Sequence, residues 1–404
     1  MSTDRPRLLF VAPILPADGG NGLAMRQGQF LAAYARDFMV DVAVVPLAGA
    51  GVNDARFATA LAHRFRQFEL SGPDSFFSLL QRLKDPSARL AAFQTYQRPS
   101  ITAQLTTSVQ REFAGWVVGE NYRLVHIGRL YLLALAGLCP GPWVVDADED
   151  DATVYQQFAT ASARRGRLHR SAWLQAEAVH FSTLTARLLP GAAQVFTASP
   201  SDAARLSAHN PALWVIPNVV MLPRRVSPGQ RERRVLFVGT LGYGPNHEAM
   251  LWFIKHCWPN LRKTIPDLHL DIVGGGPADA LLRLARQPGI TWHGWQKNLS
   301  GFYARAGVVI VPVHAGGGSR IKMLEAAAFG CPIVATSVGA AGTNLLPKRD
   351  FMMADNPAQF INAVRRSLQR PSRLGWAARQ TVARQHNPAV WQAKIRAIAS
   401  KLAV

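Results

Sequence analysis

Acidic residues are scarce in this chain: 25 Asp and Glu stand against 45 Lys and Arg in 404 residues, a formal charge of +20. That imbalance predicts attraction to anions, whether nucleotides, acidic lipid headgroups, polyanionic glycans or nucleic acid. Arginine dominates the basic set, which suits bidentate phosphate contacts. It also suits a GC-rich genome, in which case part of the charge is compositional. Cysteine is scarcer still. Cys139, Cys257 and Cys331 are far apart, and their odd number and spacing give neither a disulfide framework nor a metal-ligand pair. Buried thiols in a reducing compartment are the expectation. Long apolar runs are missing too. The longest, residues 130–138, falls well short of the ~20 residues that cross a bilayer. Residues 8–12 follow Arg5 and Arg7 as a signal peptide would. The run stops at Pro13 with a glycine-rich turn in place of a cleavage site, so it reads as a first strand. A cytoplasmic protein is expected, at most resting on the inner face of a membrane. There is no short-period repeat, no low-complexity tract and no nucleic-acid-binding motif, so nucleic acid is not an expected partner. An apolar content of 49% with 17% charged residues leaves enough for a large packed core.

What is present centres on residues 314–325, HAGGGSRIKMLE. An apolar run, 307–313, precedes it and reads as a buried strand; residues 323–330 follow and read as a helix ending at Gly330. Gly316, Gly317 and Gly318 let a backbone approach a ligand closely. A helix start offers free N–H groups and the positive end of its dipole. Arg320 and Lys322 add two full charges there. Glu325, one turn further in, suits hydrogen bonds from sugar hydroxyls. A phosphate beside a ribose would satisfy all of these groups. The plainer alternative is a strand-to-helix turn with Ser319 as N-cap and Lys322–Glu325 as an i,i+3 surface pair, worth roughly 0.2–0.5 kcal/mol.

Taken in order, the chain reads as α/β. A strand at 8–12, the turn 13–22 with Gly19 and Gly20, and a helix at 23–36 open a doubly wound unit. The turn lacks the G-x-G-x-x-G spacing, which disfavours a nicotinamide cofactor. A second strand is expected at 40–46. Residues 48–120 read as mostly helical, with Arg82, Lys84, Arg89, Arg98 and Arg111 forming either a solvated face or a contact with an anionic surface. Further strands are expected at 123–128 and 143–146. The acidic run Asp146, Asp148, Glu149, Asp150 and Asp151 reads as hydrogen-bond acceptors for hydroxyls or as partners for nearby arginines; it has no Ca²⁺-loop spacing. Residues 153–190 read as helical and basic, with short strands at 194–198 and 213–216. Residues 222–233 are polar, charged and turn-rich, a linker signature. The α/β pattern then restarts, with strands at 234–239, 268–273, 290–293, 307–313 and 332–336 and helices at 248–263, 278–286, 298–305, 357–370 and 388–402. Two such halves form a cleft where strand C-termini face each other.

The second half resembles the nucleotide-sugar glycosyltransferases of the GT-B fold, and most closely the retaining group called glycosyltransferase family four. The resemblance rests on VIPN at 215–218, LFVGT at 236–240 with Pro245 and Asn246, IVGGGP at 272–277, Gly294-Trp295 with Tyr303, GSRIKMLEA at 318–326 and PIVAT at 332–336. It implies two facing Rossmann-like domains with a cleft between them: an acceptor domain over 1–222, a donor domain over 234–385, and a terminal helix at 386–404 packing back on the first. It implies a nucleotide-sugar donor as substrate, no other cofactor, no metal, and a glycan or glycolipid acceptor in surface polysaccharide assembly. Donor binding would fall to Gly19, Gly20, Gly239, Thr240, Asn246, Gly316, Gly317, Gly318, Ser319 and Glu325. Arg320 and Lys322 would hold the departing diphosphate, and His126 would match the histidine near the reacting centre. Asp146 and Asp148 would meet the acceptor. The chain departs from the family at Gly317, where a glutamate is usual, and at Thr240, where an arginine is usual. The first departure keeps a second reading open, a catalytically inactive binding or scaffold protein. The charge keeps open a third, a transferase for a polyanionic acceptor such as DNA.

Overall fold

The computed structural model describes residues 5–49, 54–224, 226, 231–276, 287–316, 320–369 and 373–403. The chain divides into two compact units, Met1–Pro217 with Ala389–Val404, and Asn218–Pro388.

The first unit is built on seven parallel strands in the order β3-β2-β1-β4-β5-β6-β7. These are β1 (Arg7–Ala12), β2 (Met39–Val44), β3 (Arg64–Gln67), β4 (Leu124–Ile127), β5 (Trp143–Asp148), β6 (Gln194–Thr197) and β7 (Leu213–Val215). β1 is buried on both faces, as its unbroken apolar run LLFVA requires of a central parallel strand. β3 lies in the stretch read as helical. Its sequence, RFRQ, has no apolar run because it is an edge strand. Carboxylates from elsewhere complete it: Arg64 pairs with Asp41 at 3.5 Å and with Glu120, and Arg66 pairs with Glu112. The helix Pro388–Leu402 belongs to this unit. Its Ile395, Ile398 and Ala399 pack with Phe10, Phe30 and Tyr34, and its Arg396 pairs with Asp37 at 2.6 Å.

The second unit carries six parallel strands in the order β10-β9-β8-β11-β12-β13. These are β8 (Arg234–Val238), β9 (His269–Val273), β10 (Ile290–Trp292), β11 (Val308–Val311), β12 (Ile333–Ala335) and the short β13 (Met352–Met353). The helix expected over 248–263 is two, Gly244–His256 and Trp258–Thr264, parted at Cys257 where Pro259 follows. The helix expected at 278–286 lies outside the described residues. A helix at Arg373–Gln385 was not anticipated. In each unit the strand order reverses at one place, between β1 and β4 and between β8 and β11. Loops leaving the C-terminal ends of such a strand pair form the ligand crevice of an open parallel sheet. The loops after β8 and β11 are those carrying Gly239-Thr240 and residues 312–320.

Candidate active site

Gly239 ends β8 against two side chains. A Cβ there would lie 2.6 Å from Lys322 Nζ and 2.8 Å from Asn246 Nδ2, so any other residue at the position would displace those two side chains. Lys322 comes from the first turn of the helix Ile321–Ala328, which follows β11. Its ammonium donates to Asn246 Oδ1 at 2.6 Å and lies 4.5 Å from the centre of the Phe237 ring. Asn246 Nδ2 donates in turn to the Thr240 carbonyl at 2.9 Å. Gly274, at φ +153°, is where the loop after β9 presses on the Gly239 carbonyl. Leu241 N donates to the Gly275 carbonyl at 2.7 Å, so the two loops support one another.

Arg320 occupies the N-cap of the Ile321–Ala328 helix, with no side-chain capping bond. Its Nε and Nη2 are buried and meet no acceptor among the described residues. A desolvated guanidinium without a partner is costly, and an anion is the group that removes the cost. One turn into the helix, Glu325 Oε2 accepts from Tyr303 OH at 2.9 Å. Lys322 and Glu325 therefore each have a partner from another element, and the plain surface-pair reading does not describe them. Burial, then the charge of Arg320, pushes the Lys322 ammonium down to about 7, against the pull of Glu325. Burial pushes the Glu325 carboxyl up to about 6, opposed by the Tyr303 hydroxyl and by Lys322. Gly316 holds φ +122°, a backbone state that favours glycine. Gly317, Gly318 and Ser319 lie outside the described residues.

Arg231, read only as the end of a linker, holds this arrangement from behind. Its Nη1 donates to the carbonyls of Tyr303 (3.1 Å) and Ala306 (2.9 Å), and its Nη2 to those of Phe329 (3.0 Å) and Gly330 (2.9 Å). One guanidinium thus satisfies the C-terminal carbonyls of both helices that carry Tyr303 and Glu325. Tyr303→Phe is expected to raise the Glu325 pKa above about 6, because the hydroxyl bond favours the ionised carboxylate. Carboxyl ¹³C chemical shifts followed against pH would show the change; an unmoved titration would mean the bond does not form in solution.

The residues assigned in the first unit divide into a surface loop pair and largely buried core groups. Gly19 and Gly20 stand in the loop after β1, before the helix Gly22–Tyr34, with open space around Gly19. His126 is not available to a reacting centre. Its ring is fully buried in β4, stacked 4.6 Å from Phe10, with Nδ1 3.1 Å from Tyr34 OH. Burial and the Arg26 charge push it down to about 3, so it is a neutral core residue. Asp146 is likewise fully buried and receives Arg26 at 2.6 Å and Gln27 at 3.2 Å, which leaves nothing for an acceptor. Asp148, at φ +61°, pairs with Arg129 at 3.1 Å and Arg26 at 3.3 Å. Of the two readings of the acidic run, partnership with arginines is the observed one. Among the described residues no three His, Cys, Asp or Glu side chains gather as a metal ion would require. No helix among them is long and apolar enough to cross a membrane.

Residues 232–370 match the family model described as Glycosyl transferases group 1. The matched segment begins next to Arg231 and contains Gly239, Asn246, Tyr303, Arg320, Lys322 and Glu325. The chain is 34% identical over 110 residues to a GDP-mannose-dependent alpha-(1-6)-phosphatidylinositol monomannoside mannosyltransferase of Mycolicibacterium smegmatis, covering 24% of this chain and 29% of that protein. It is 26% identical over 139 residues to an uncharacterized 44.6 kDa protein in the cps region of Klebsiella pneumoniae, covering 32% and 36%. The chain therefore aligns with about a third of the length of these curated relatives. The fold extends further. A sucrose-phosphate synthase from Thermosynechococcus elongatus superposes with a TM-score of 0.66 at 17% identity, over 98% of this chain and 99% of that one. Anabaena HepE in complex with UDP and glucose gives 0.63 at 13% identity, over 98% and 100%. The fold is that of the two-domain GT-B glycosyltransferases, with two Rossmann-like parallel sheets, as the motifs indicated.

Proposed function

We propose that this protein is a glycosyltransferase that moves a sugar from a nucleotide-sugar to a hydroxyl of a glycan or glycolipid, with retention of configuration and without a metal. The observation that carries the reading is Arg320, whose Nε and Nη2 are buried and meet no acceptor among the described residues, beside Lys322 at a helix start. Two cations and a helix N-terminus stabilise the charge that appears on a departing diphosphate, the task a divalent cation performs in other transferases. Glu325, set by Tyr303, accepts hydrogen bonds from the ribose hydroxyls. Gly239 lets the phosphates approach the backbone, and Thr240 and Asn246 line the same edge. In the transfer, the bond from the sugar's anomeric carbon to phosphate breaks with its electron pair leaving on the nucleoside diphosphate. The acceptor oxygen bonds that carbon. With His126 inside the core, the acceptor's proton passes to the departing phosphate. The GDP-mannose dependence of the mycobacterial relative and the UDP bound to HepE make GDP and UDP the first nucleotides to try.

Binding of UDP, GDP, ADP and TDP is measured by thermal shift with and without EDTA. A nucleotide at a hundred times its Kd adds about 2.7 kcal/mol of stability. One nucleotide that stabilises equally with EDTA present supports the proposal; no shift with any of them favours an inactive binding protein instead.

The site also sets a pH window. Diphosphate binding needs charged Lys322, so affinity is full below about 7 and falls as pH rises through it. Ribose binding needs ionised Glu325, so affinity is lost as pH falls through about 6. Nucleotide affinity is expected to peak between the two, with net proton uptake on binding at the alkaline side. Titration calorimetry in buffers of different ionisation enthalpy reads that uptake; a flat profile from pH 5 to 9 would detach both groups from the ligand.

A further inference from the structure

The helix Ile321–Ala328 carries Arg320 at its N-cap, Lys322 in its first turn and Glu325 one turn on. Tolerance at that end is small, because Lys322 Nζ meets Asn246 Oδ1 at 2.6 Å. The N-cap side chain makes no capping bond, so the fixed point along the axis of this 8-residue helix lies at its other end. That end is roughly 12 Å away, at the usual rise per residue.

There every carbonyl has a donor. Glu325, Ala326 and Ala327 accept from Phe329 N at 3.0 Å, Cys331 N at 2.9 Å and Gly330 N at 2.8 Å. This is a glycine-closed terminus, with Gly330 at φ +62°. Phe329 and Gly330 accept from Arg231. The carbonyl left over is that of Ala328, and Arg379 Nη1 donates to it. Arg379 stands in the helix Arg373–Gln385. Its Nη2 donates at 2.9 Å to the carbonyl of Pro223, on the segment that leads into the unit. Two cations, Arg231 and Arg379, thus meet the negative end of the helix dipole. A second contact joins the two helices. A Cβ on Gly375 would lie 2.3 Å from the Gly330 carbonyl oxygen and 2.9 Å from its carbon, which are backbone atoms that cannot rotate aside. One turn along, Ala378 packs in the same core as Met323, Leu324 and Ala327. The helix Arg373–Gln385 is therefore a stop against which the donor-site helix rests.

We propose that Arg379 is a positioning residue for the donor site, with Gly375 allowing the close approach it needs. By tying the Ala328 carbonyl to that of Pro223, it sets where Arg320, Lys322 and Glu325 stand. The proposal rests on the transferase reading of those three groups. A short helix moves as a rigid body, so a displacement at one end is carried to the other, and a misplacement of ~1 Å can cost about 100-fold in rate.

Affinities for UDP and GDP are measured on the full chain by titration calorimetry from pH 6 to 9, with melting temperatures. The proteins are the wild type, Arg379→Met, Arg379→Lys and Gly375→Ala. Arg379→Met should weaken nucleotide binding about tenfold, the worth of one charge-assisted hydrogen bond at the displaced end. The alkaline limb of binding, at about 7 in the wild type because Lys322 is buried, should move to higher pH as that ammonium regains water. Arg379→Lys keeps the charge without the two-pronged reach and should recover part of the affinity. Gly375→Ala should reproduce the limb shift with Arg379 intact, and it carries the test if Arg379→Met does not fold. A lower melting temperature with unchanged affinity and an unmoved limb would make Arg379 a structural residue only and overturn the proposal. Wild-type behaviour in both variants would overturn it too. The ligand-free protein separates this outcome from failure of the transferase reading. Its stability difference between pH 6.5 and pH 9 reports Lys322 burial without any nucleotide and should shrink in Arg379→Met. If the wild type binds neither nucleotide while that difference still shrinks, the transferase reading fails and placement of the helix by Arg379 stands. If it does not shrink, the placement fails.

Discussion

Arg320→Ala is expected to lower turnover by about 10²–10³-fold, the usual cost of removing a preorganised donor from developing negative charge. The same change should leave the empty protein's stability within about 0.5 kcal/mol of the wild type. The reason is visible in the unliganded site: Nε and Nη2 are buried and meet no acceptor among the described residues, so truncation breaks none of their bonds. A third consequence separates a site role from a general loss. The Arg320 charge is one of the causes that hold Lys322 down at about 7, so removing it should move the alkaline limb of nucleotide binding to higher pH. Arg320→Lys restores the charge without the fork of donors and should recover only part of the rate. The decisive measurements are kcat/KM, nucleotide Kd against pH and melting temperature on the same preparations. Wild-type turnover in the alanine variant would remove the site assignment.

Lys322→Met should act in two directions at once. Nucleotide binding falls at least tenfold with the loss of a direct charge on phosphate, and the unliganded protein becomes more stable. The sign follows from the pKa. In the folded chain Lys322 titrates near 7, below its ordinary 10.5, so the unfolded chain binds the proton more tightly. The penalty is complete below pH 7 and disappears as pH rises through 10.5, and wild-type stability should climb across that window. The variant lacks the penalty. A gain of about 2–4 kcal/mol below pH 7 is expected, after an allowance for the bond lost by Asn246. Glu325 works in a separate window: its raised pKa makes stability fall as pH rises from 4.5 to about 6. Urea unfolding of both proteins at pH 6.5 and pH 9 tests the argument. Equal stability at both values would mean Lys322 remains solvated in the native state.

Much of this was legible in residue order because it rests on local chemistry. Central parallel strands are buried on both faces, so β1, β8 and β11 announce themselves as unbroken apolar runs. Arg320, Lys322 and Glu325 follow such a run in a glycine-rich turn and could be named from residue type and position, whereas Gly239 was named only through the family resemblance. What escaped depends on partners distant in sequence. β3 is polar because it is an edge and draws its carboxylates from Glu112 and Glu120. His126 and Asp146 have the residue types of a reacting centre, yet folding places one among aromatic rings and the other against Arg26, 120 positions away. Arg231 reads as linker composition and becomes a clamp only where two helix ends converge on it. Apolar periodicity along the chain therefore determined the two α/β units, and the charged groups of the turn before the Ile321–Ala328 helix were readable beside its strand. Which polar groups are consumed inside the protein and which are left for a ligand was decided by tertiary packing, because a charge's worth depends on what folding brings within hydrogen-bonding reach.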